Sequence, residues 1–422
     1  MSASQGAGER LITLDVIRGI AVMGIFSVNV VGMAMIEIAY FHPPTYGFEG
    51  LGDRLMHAAN FLLIDGKMRS LFSILFGASA LLVIERAIAA GRSPARTHYA
   101  RMAALLLFGL VHFYLIWWGD ILSEYALIGM VAYLFRKLRP RTLVIWAVAL
   151  LLLHSVPMLI FSTEGFGLEE AASGPRPDPE AVEELREKRE RIFPSAEVLA
   201  EDAQAHETLA GRLRYSTSEQ LLRPFNSSLG LLPETLGLML LGMAGYRSGF
   251  LTGAWDDRRY RQVALWGIGP GLAVTAVSLF LVIESGYSAP YLNAARNAWT
   301  APLRPVMALG YAALIILLFR RPSALRDRFA AVGRTAFSNY LGCSLIGVGL
   351  FYGFAGDLYG DLSRGEAWLL VPPVWALMLL WSKPWLDRFA YGPLEWLWRS
   401  LARWQVQPFR KRLPAGPVAA GA

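Results

Sequence analysis

The sequence has 422 residues, of which 55% are hydrophobic and 17% charged, with a formal net charge of +7 and a mean hydropathy of +0.39. Soluble domains hold about 45–50% and about 25% of these two classes, so an ordinary soluble globule is excluded. A disordered chain is excluded too, and a single cysteine, Cys343, excludes a disulfide scaffold. What remains is an all-α polytopic membrane bundle with the lipid bilayer as its first partner.

The first apolar stretch, Leu11 to Ile38, is too long for a signal peptide, lacks a clear A-x-A exit and carries Asp15 and Arg18. It is expected to be a retained helix. A span needs about 20 mostly apolar residues. Ten candidates follow: 12–38, 53–86, 99–118, 121–136, 142–162, 226–248, 260–284, 299–319, 334–355 and 366–382. Asp65-Gly66-Lys67 in the second predicts a bent or broken helix. Arginine and lysine crowd alternate connections: 86–101, 136–141, 247–261, 320–334 and the tail from Lys383 to Arg412. By the positive-inside rule these face the cytoplasm, together with both chain ends. The net charge follows from that orientation, and no nucleic-acid partner is needed to explain it. Residues 163–225 are polar, and 178–191 reads as a solvated amphipathic helix. By parity this segment lies outside, either as a connecting loop of two or three helices or as a lid over an outward-facing site. The expected organisation is two five-span halves, 1–162 and 226–383, with the loop between them and a basic tail over 384–422.

Ionisable groups inside spans are costly unless paired or hydrated, so each is a functional candidate. Asp15 and Arg18 are three apart on one helix face, which suits either an interfacial ion pair or an anion site. Asn29, eleven residues on, falls on the same face about three turns deeper. Lys67, beside Arg69 at the predicted break, can take an acidic substrate group or pair with Asp65. In GLVHFYLIWWGDILSEYALIG, His112 sits within the third span, with Asp120 and Glu124 at its outer turn. Imidazole takes and returns a proton near neutral pH, and a carboxylate would hold it in place. His112 and Asp120 are eight residues apart, about 12 Å on a straight helix, so they meet only if the Trp118-Gly119 turn folds back. Otherwise Glu124 or another helix supplies the partner, or the histidine merely packs. His42, just outside the first span, is a second proton-transfer candidate. The sequence holds no G-x-S-x-G, HExxH, Walker loop or strand-borne G-x-G-x-x-G. Six scattered histidines and one cysteine make no metal-ligand pattern, so no metal is expected.

At these motifs the chain resembles the YeiB-like family of bacterial integral membrane proteins. The resemblance runs through RLITLDVIRGIAVMGI (10–25) with Asn29, KMRSLFSILFGAS (67–79) and GLVHFYLIWWGDIL (109–122). It continues in GRTAFSNYLGCS (333–344) and YGPLEWLWRSL (391–401). The opening pattern is similar, more remotely, to transmembrane acyltransferases such as heparan-alpha-glucosaminide N-acetyltransferase. That resemblance implies a multi-pass protein of the bacterial inner membrane that passes an acyl group from cytosolic acyl-CoA to an acceptor hydroxyl or amine on the far side. The acceptor would be a small molecule, a glycan or a lipid. Arg18, Asp15, Asn29, Lys67, Arg334 and Asn339 would then serve the donor, and His112, Asp120, Glu124 and His42 the chemistry. A homo-oligomer is compatible with all of this. The alternative reading is a small-molecule transporter or permease, which needs the same polar stripe and broken helix but would favour inverted repeats, and none is visible.

Overall fold

A computed structural model describes residues 3–218 and 220–411, so Arg412 and the end of the basic tail lie outside the described residues. Among those residues helices are the regular secondary structure, joined by turns and loops, with one isolated bridge between Phe389 and Arg410. The main helices are α1 (Ala3–Ala34), α2 (Leu51–Leu63), α3 (Lys67–Ala89), α4 (Pro94–Val111), α5 (Leu122–Ala132), α6 (Pro140–Ser173), α7 (Pro179–Ile192) and α8 (Ala196–Glu207). They continue as α9 (Leu209–Ser218), α10 (Arg223–Arg247), α11 (Asp257–Glu284), α12 (Arg304–Leu318), α13 (Ala324–Arg334), α14 (Ala336–Phe351), α15 (Val371–Arg388) and α16 (Pro393–Arg403).

Helical structure occupies all ten expected spans. Among the described residues eight helical segments are long and apolar enough to cross a membrane. The other two, Leu122–Phe135 and Ala336–Phe351, are shorter. At 1.5 Å per residue they reach about 21 and 24 Å, less than a hydrocarbon core of about 30 Å. The chain is therefore an all-α polytopic membrane protein. The second expected span is broken as predicted: α2 ends at Leu63, and α3 starts after Gly66, whose φ of +71° a side chain would oppose.

The centre of the bundle is α1. Leu14, Ile17, Ala21, Val22, Phe26, Val30 and Val31 are all buried, as suits a helix apolar on every face. Water does not drive helices together inside lipid, so close backbone approach has to hold them. A Cβ on Gly333 would lie 1.8 Å from the Asp15 carbonyl oxygen, and one on Gly242 would lie 1.8 Å from that of Ile74. Glycine is what lets α13 cross α1, and α10 cross α3, at this range. The rim is the reverse. α6 is mostly exposed and turns Leu152, Leu153, Ile160 and Phe161 outward, as a lipid-facing helix does.

The 163–225 segment contains three helices, α7 to α9, after α6 runs on to Ser173. They are docked on one end of the bundle. Thr45 Oγ1 donates to the Ile192 carbonyl (2.8 Å), Tyr359 Oη to Asp202 (2.6 Å), and Ser216 Oγ to the Tyr114 carbonyl (2.9 Å). His206 is packed flat on Tyr359, with centroids 4.4 Å apart. Burial lowers the pKa of His206 and brings that of His42, which packs edge-on against Phe193, down to about 4. Both rings are held neutral in the folded state while the unfolded state binds protons below about pH 6.5. The docked loop is thus at full strength above that pH and weakens as pH falls from 6.5 toward 4. Limited proteolysis of the α7–α8 junction is expected to accelerate at pH 5 relative to pH 7.5. The double variant His42→Phe/His206→Phe is expected to flatten that dependence.

Candidate functional site

Two cavities enter the bundle from opposite ends and meet at one side chain. The inner one, about 370 Å³, opens beside the start of α1, the end of α3 and the start of α4. Its lining includes Asp15, Arg18, Ser79, Arg86, Arg101, Tyr125, Arg334, Tyr340, Glu395 and Arg399. Arg18 forks across the gap: Nη1 bonds Asp15 Oδ1 (2.6 Å) and the Gly333 carbonyl (3.3 Å), and Nη2 bonds Ser79 Oγ (2.7 Å). The ion pair expected from the spacing is therefore present, and the same guanidinium lines the cavity. Five guanidinium groups line this cavity against two carboxylates, Asp15 and Glu395. Glu395 is occupied at the start of α14, where its carboxylate accepts from the amides of Phe337 (2.8 Å) and Ser338 (3.1 Å). The surplus is positive, as an anionic guest requires.

The outer cavity, about 590 Å³, lies at the other end. It is lined by Asn29, Tyr40, Asp65, Arg69, Trp117, Trp118, Asp120, Glu124, His154, Arg223, Glu234, Arg296, Arg304 and Tyr340. Past Val111 the α4 helix widens into a π-helical turn over His112–Ile116, and Trp117 then turns extended. The chain folds back far enough for Asp120 Oδ1 to reach His112 Nδ1 at 2.9 Å. Asp120 also accepts from the amides of Leu122 (3.1 Å) and Ser123 (2.8 Å) and from Ser123 Oγ (2.5 Å), which caps α5. The Tyr340 hydroxyl donates to the Gly119 carbonyl (3.0 Å) and accepts from the Ile121 amide (3.3 Å). Tyr340 lines both cavities and forms part of the wall between them.

His112 itself is fully enclosed and lines neither cavity. Its ring lies 5.4 Å from that of Tyr340, and among the described residues its Nε2 has no hydrogen-bond partner. Asp120 is the member of the pair that contributes to the outer-cavity wall, with its carboxylate, like the imidazole, fully enclosed.

Several expectations are corrected. Glu124 does not orient His112: it accepts from Thr235 Oγ1 (2.5 Å) and lies 3.8 Å from Arg69. Lys67 takes no substrate position and does not bond Asp65. Buried to 1% exposure, its ammonium donates to the Phe61 carbonyl at the end of α2, where helix carbonyls lack partners, while Asp65 lies 3.8 Å from Arg296. Asn29 lines the outer cavity and Arg18 the inner one, so the polar face of α1 serves two compartments. Asn339 is a packing residue: its amide bonds the Val332 carbonyl (3.2 Å), Thr335 (3.0 Å) and Ser382 (3.2 Å), and it accepts from Trp381 (2.8 Å). His42 lies against Phe193, outside both cavities. Of the loop helices, α9 packs on the turn that carries His112, and none of α7 to α9 lines the outer cavity, although Arg223 and Pro224 at the end of the segment do. Arg334 lines the inner cavity.

Other site residues were not singled out from the sequence. Glu234 pairs with Arg69 and lies 3.8 Å from His154. Acid and imidazole at membrane depth, in LLPETLGLML and LLLLHSVPML, were the available signals. Tyr340 carries no such signal, since tyrosine is ordinary in spans. Glu234→Gln strips the strongest partner from a guanidinium that cannot lose its proton, at a cost of up to about 3–5 kcal/mol. Thermal unfolding in detergent is expected to show that loss, and the double variant Arg69→Gln/Glu234→Gln to recover part of it.

Known proteins resemble the chain along nearly its whole length. A family model described as a protein of unknown function (DUF418) matches residues 245–405, the stretch that contains Arg304, Arg334, Tyr340 and Glu395. The uncharacterized protein YxaH of Bacillus subtilis is 32% identical over 420 residues, which cover 96% of this chain and 97% of that one. The uncharacterized protein YeiB of Escherichia coli is 30% identical over 400 residues, 93% of this chain and 96% of that one. No solved structure matches.

Proposed function

The chain belongs to the YeiB-like family, and on that premise we propose that it is a membrane-embedded acyltransferase of the bacterial cytoplasmic membrane. In this reading acyl-CoA enters the inner cavity and an acceptor hydroxyl or amine enters the outer one. The observation that carries it is the pair of cavities, one with a surplus of arginine and one of mixed charge, which share Tyr340 as a wall. A volume of about 370 Å³ suits the acyl-pantetheine arm, with the CoA phosphates at the arginine-lined mouth. Guanidinium stays charged and grips phosphate oxygens in pairs.

Transfer forms a carbon–oxygen or carbon–nitrogen bond at the thioester carbonyl and breaks the carbon–sulfur bond. The acceptor loses a proton, the departing thiolate gains one, and nothing is oxidised. In this reading the acceptor's proton passes to Asp120, whose carboxylate is enclosed at the wall of the outer cavity. His112, 2.9 Å behind it, holds the orientation and offers an imidazole to share the proton. The Tyr340 hydroxyl lies between the two compartments, where the carbonyl and the acceptor would meet.

The same orientation puts the arginine-rich end of the bundle and both termini in the cytoplasm. A reporter fused after residue 411 is expected to be active only on the cytoplasmic side, and external protease to cut within 179–218. Activity of the same fusion on the outer side overturns the orientation.

For the donor, Arg18→Gln is expected to weaken acyl-CoA binding at least tenfold by calorimetry. The double variant Asp15→Asn/Arg18→Gln, which leaves no unpaired carboxylate, is expected to do the same. Asp120→Asn and His112→Gln are expected to lower turnover by about 10²–10⁴ with donor binding intact. Transport is the second reading. It is favoured by the break at 64–66 and by the buried Arg69–Glu234–Glu124 cluster beside it, features of solute sites in broken-helix carriers. Transport needs no donor site, so absence of acyl-CoA binding in the wild-type protein decides for it.

A further inference from the structure

One corner of the outer cavity, at the start of α3, holds more positive charge than its carboxylates neutralise. Arg304 lies across Gly66, so close that a Cβ there would come within 2.4 Å of its Cδ. Its Nη2 donates to the Arg296 carbonyl and to Thr300 Oγ1 (3.3 Å). Its charged neighbours are Asp65 and Glu234 on one side of the balance and Arg69, Arg296 and Lys67 on the other. Both carboxylates are already engaged, Asp65 at 3.8 Å from Arg296 and Glu234 on Arg69. A third, Glu124, lies 3.8 Å from Arg69 and accepts from Thr235. Three arginines thus stand with three acids at the cavity wall, and the buried Lys67 behind it makes four cations to three acids. Among the described residues Arg304 has no carboxylate within 4.0 Å, and two enclosed guanidinium nitrogens, Arg304 Nε and Arg69 Nη1, have no hydrogen-bond partner.

A guanidinium cannot discharge itself by losing a proton, and Arg304 and Arg69, half-buried in the cavity wall, are only partly hydrated, so an anion is their natural complement. The missing element is an anion that accepts from two arginines on different helical segments. Two arginines from different helical segments that line one cavity suit a tetrahedral oxyanion better than one planar carboxylate. The amino end of α3 adds its partial positive charge at the same corner, where Ile64, Asp65, Gly66 and Arg69 line the cavity.

We propose that Arg304 and Arg69 form an oxyanion subsite, and that the molecule held in the outer cavity is a phosphate ester. This rests on the outer cavity being a ligand site, as the acyl-transfer reading has it, but not on the donor. Two sources share the chemistry: a water-soluble phosphate monoester and the headgroup phosphate of a membrane lipid.

The test uses the full chain in maltoside detergent, which contains no phosphate. One arm titrates sn-glycerol 3-phosphate and the other adds dioleoylphosphatidylglycerol to the micelle, with glycerol and dioleoylglycerol as uncharged controls. Either phosphate compound is expected to raise the Tm by at least about 2 °C near saturation while its control does not. A response to the soluble ester alone identifies a soluble ligand, and a response to the lipid identifies a headgroup. Arg304→Gln is expected to abolish the shift and Arg304→Lys to retain part of it. The exposed Arg186→Gln is expected to leave it unchanged. Should Arg304→Gln not fold, phenylglyoxal labelling of the wild-type protein reads the same site. The active phosphate compound is expected to slow modification of Arg304 about threefold or more without protecting Arg186. The proposal is overturned if neither compound stabilises the wild type, if Arg304→Gln responds as the wild type does, or if Arg304 labelling is unprotected. Acyl-CoA binding in Arg304→Gln, and the phosphate shift in Arg18→Gln, keep this result separate from the fate of the donor reading.

Discussion

Asp120 is the residue on which the interior of this bundle turns. Its carboxylate accepts four hydrogen bonds, from the imidazole of His112, the amides of Leu122 and Ser123, and the Ser123 hydroxyl. Those bonds close the end of one helix, start the next and fix the reversal between them. Within a membrane no solvent is available to satisfy such groups, so the reversal survives only where side chains supply the partners. Tyr340 completes the arrangement from another helix by bonding both sides of the same turn, at Gly119 and Ile121. The wall between the two cavities is thus built partly from the groups that hold the turn.

Charge is distributed in keeping with that wall. On the inner side arginines outnumber acids, and Arg18 is locked in a fork by Asp15 and Ser79. On the outer side arginine and carboxylate alternate, with Arg69 between Glu124 and Glu234 and Arg296 beside Asp65. Paired charges of this kind add little net stability, because desolvation offsets most of their attraction. The glycine contacts at Gly242 and Gly333 supply the close packing that ion pairs do not, by letting helix backbones touch where water cannot drive association.

The outer loop bears on the site indirectly. Arg212, with no exposed surface, donates to the Phe113 carbonyl (3.3 Å), and Ser216 to that of Tyr114, both within the π-helical turn that carries His112. Loop docking and the placement of the His112–Asp120 pair are therefore coupled through one stretch of backbone.

Much of this was legible in the sequence. Run length and polarity located all ten helical stretches, since a segment that lacks enough apolar residues cannot stay in hydrocarbon. Gly66 marked the break, and i, i+3 spacing identified the Asp15–Arg18 pair, because both follow from local backbone geometry. The reversal at Trp118-Gly119 was visible only as a condition for His112 to meet Asp120. Partner choice across helices was not legible. Glu124 was one of the partners offered for His112 by proximity along the chain, yet Arg69 and Thr235 claim it from α3 and α10. Lys67 was expected either on an acidic substrate group or on Asp65, and instead closes the end of α2. Asn29 and Arg18 share a helix face but fall into separate cavities, because neighbouring helices divide the space beside that face. Sequence determined which segments enter the membrane and which charges go with them, through terms that depend on local composition. Only the tertiary structure decided which charges meet, because in a medium without water each buried polar group takes whatever partner the packing of distant helices brings within reach.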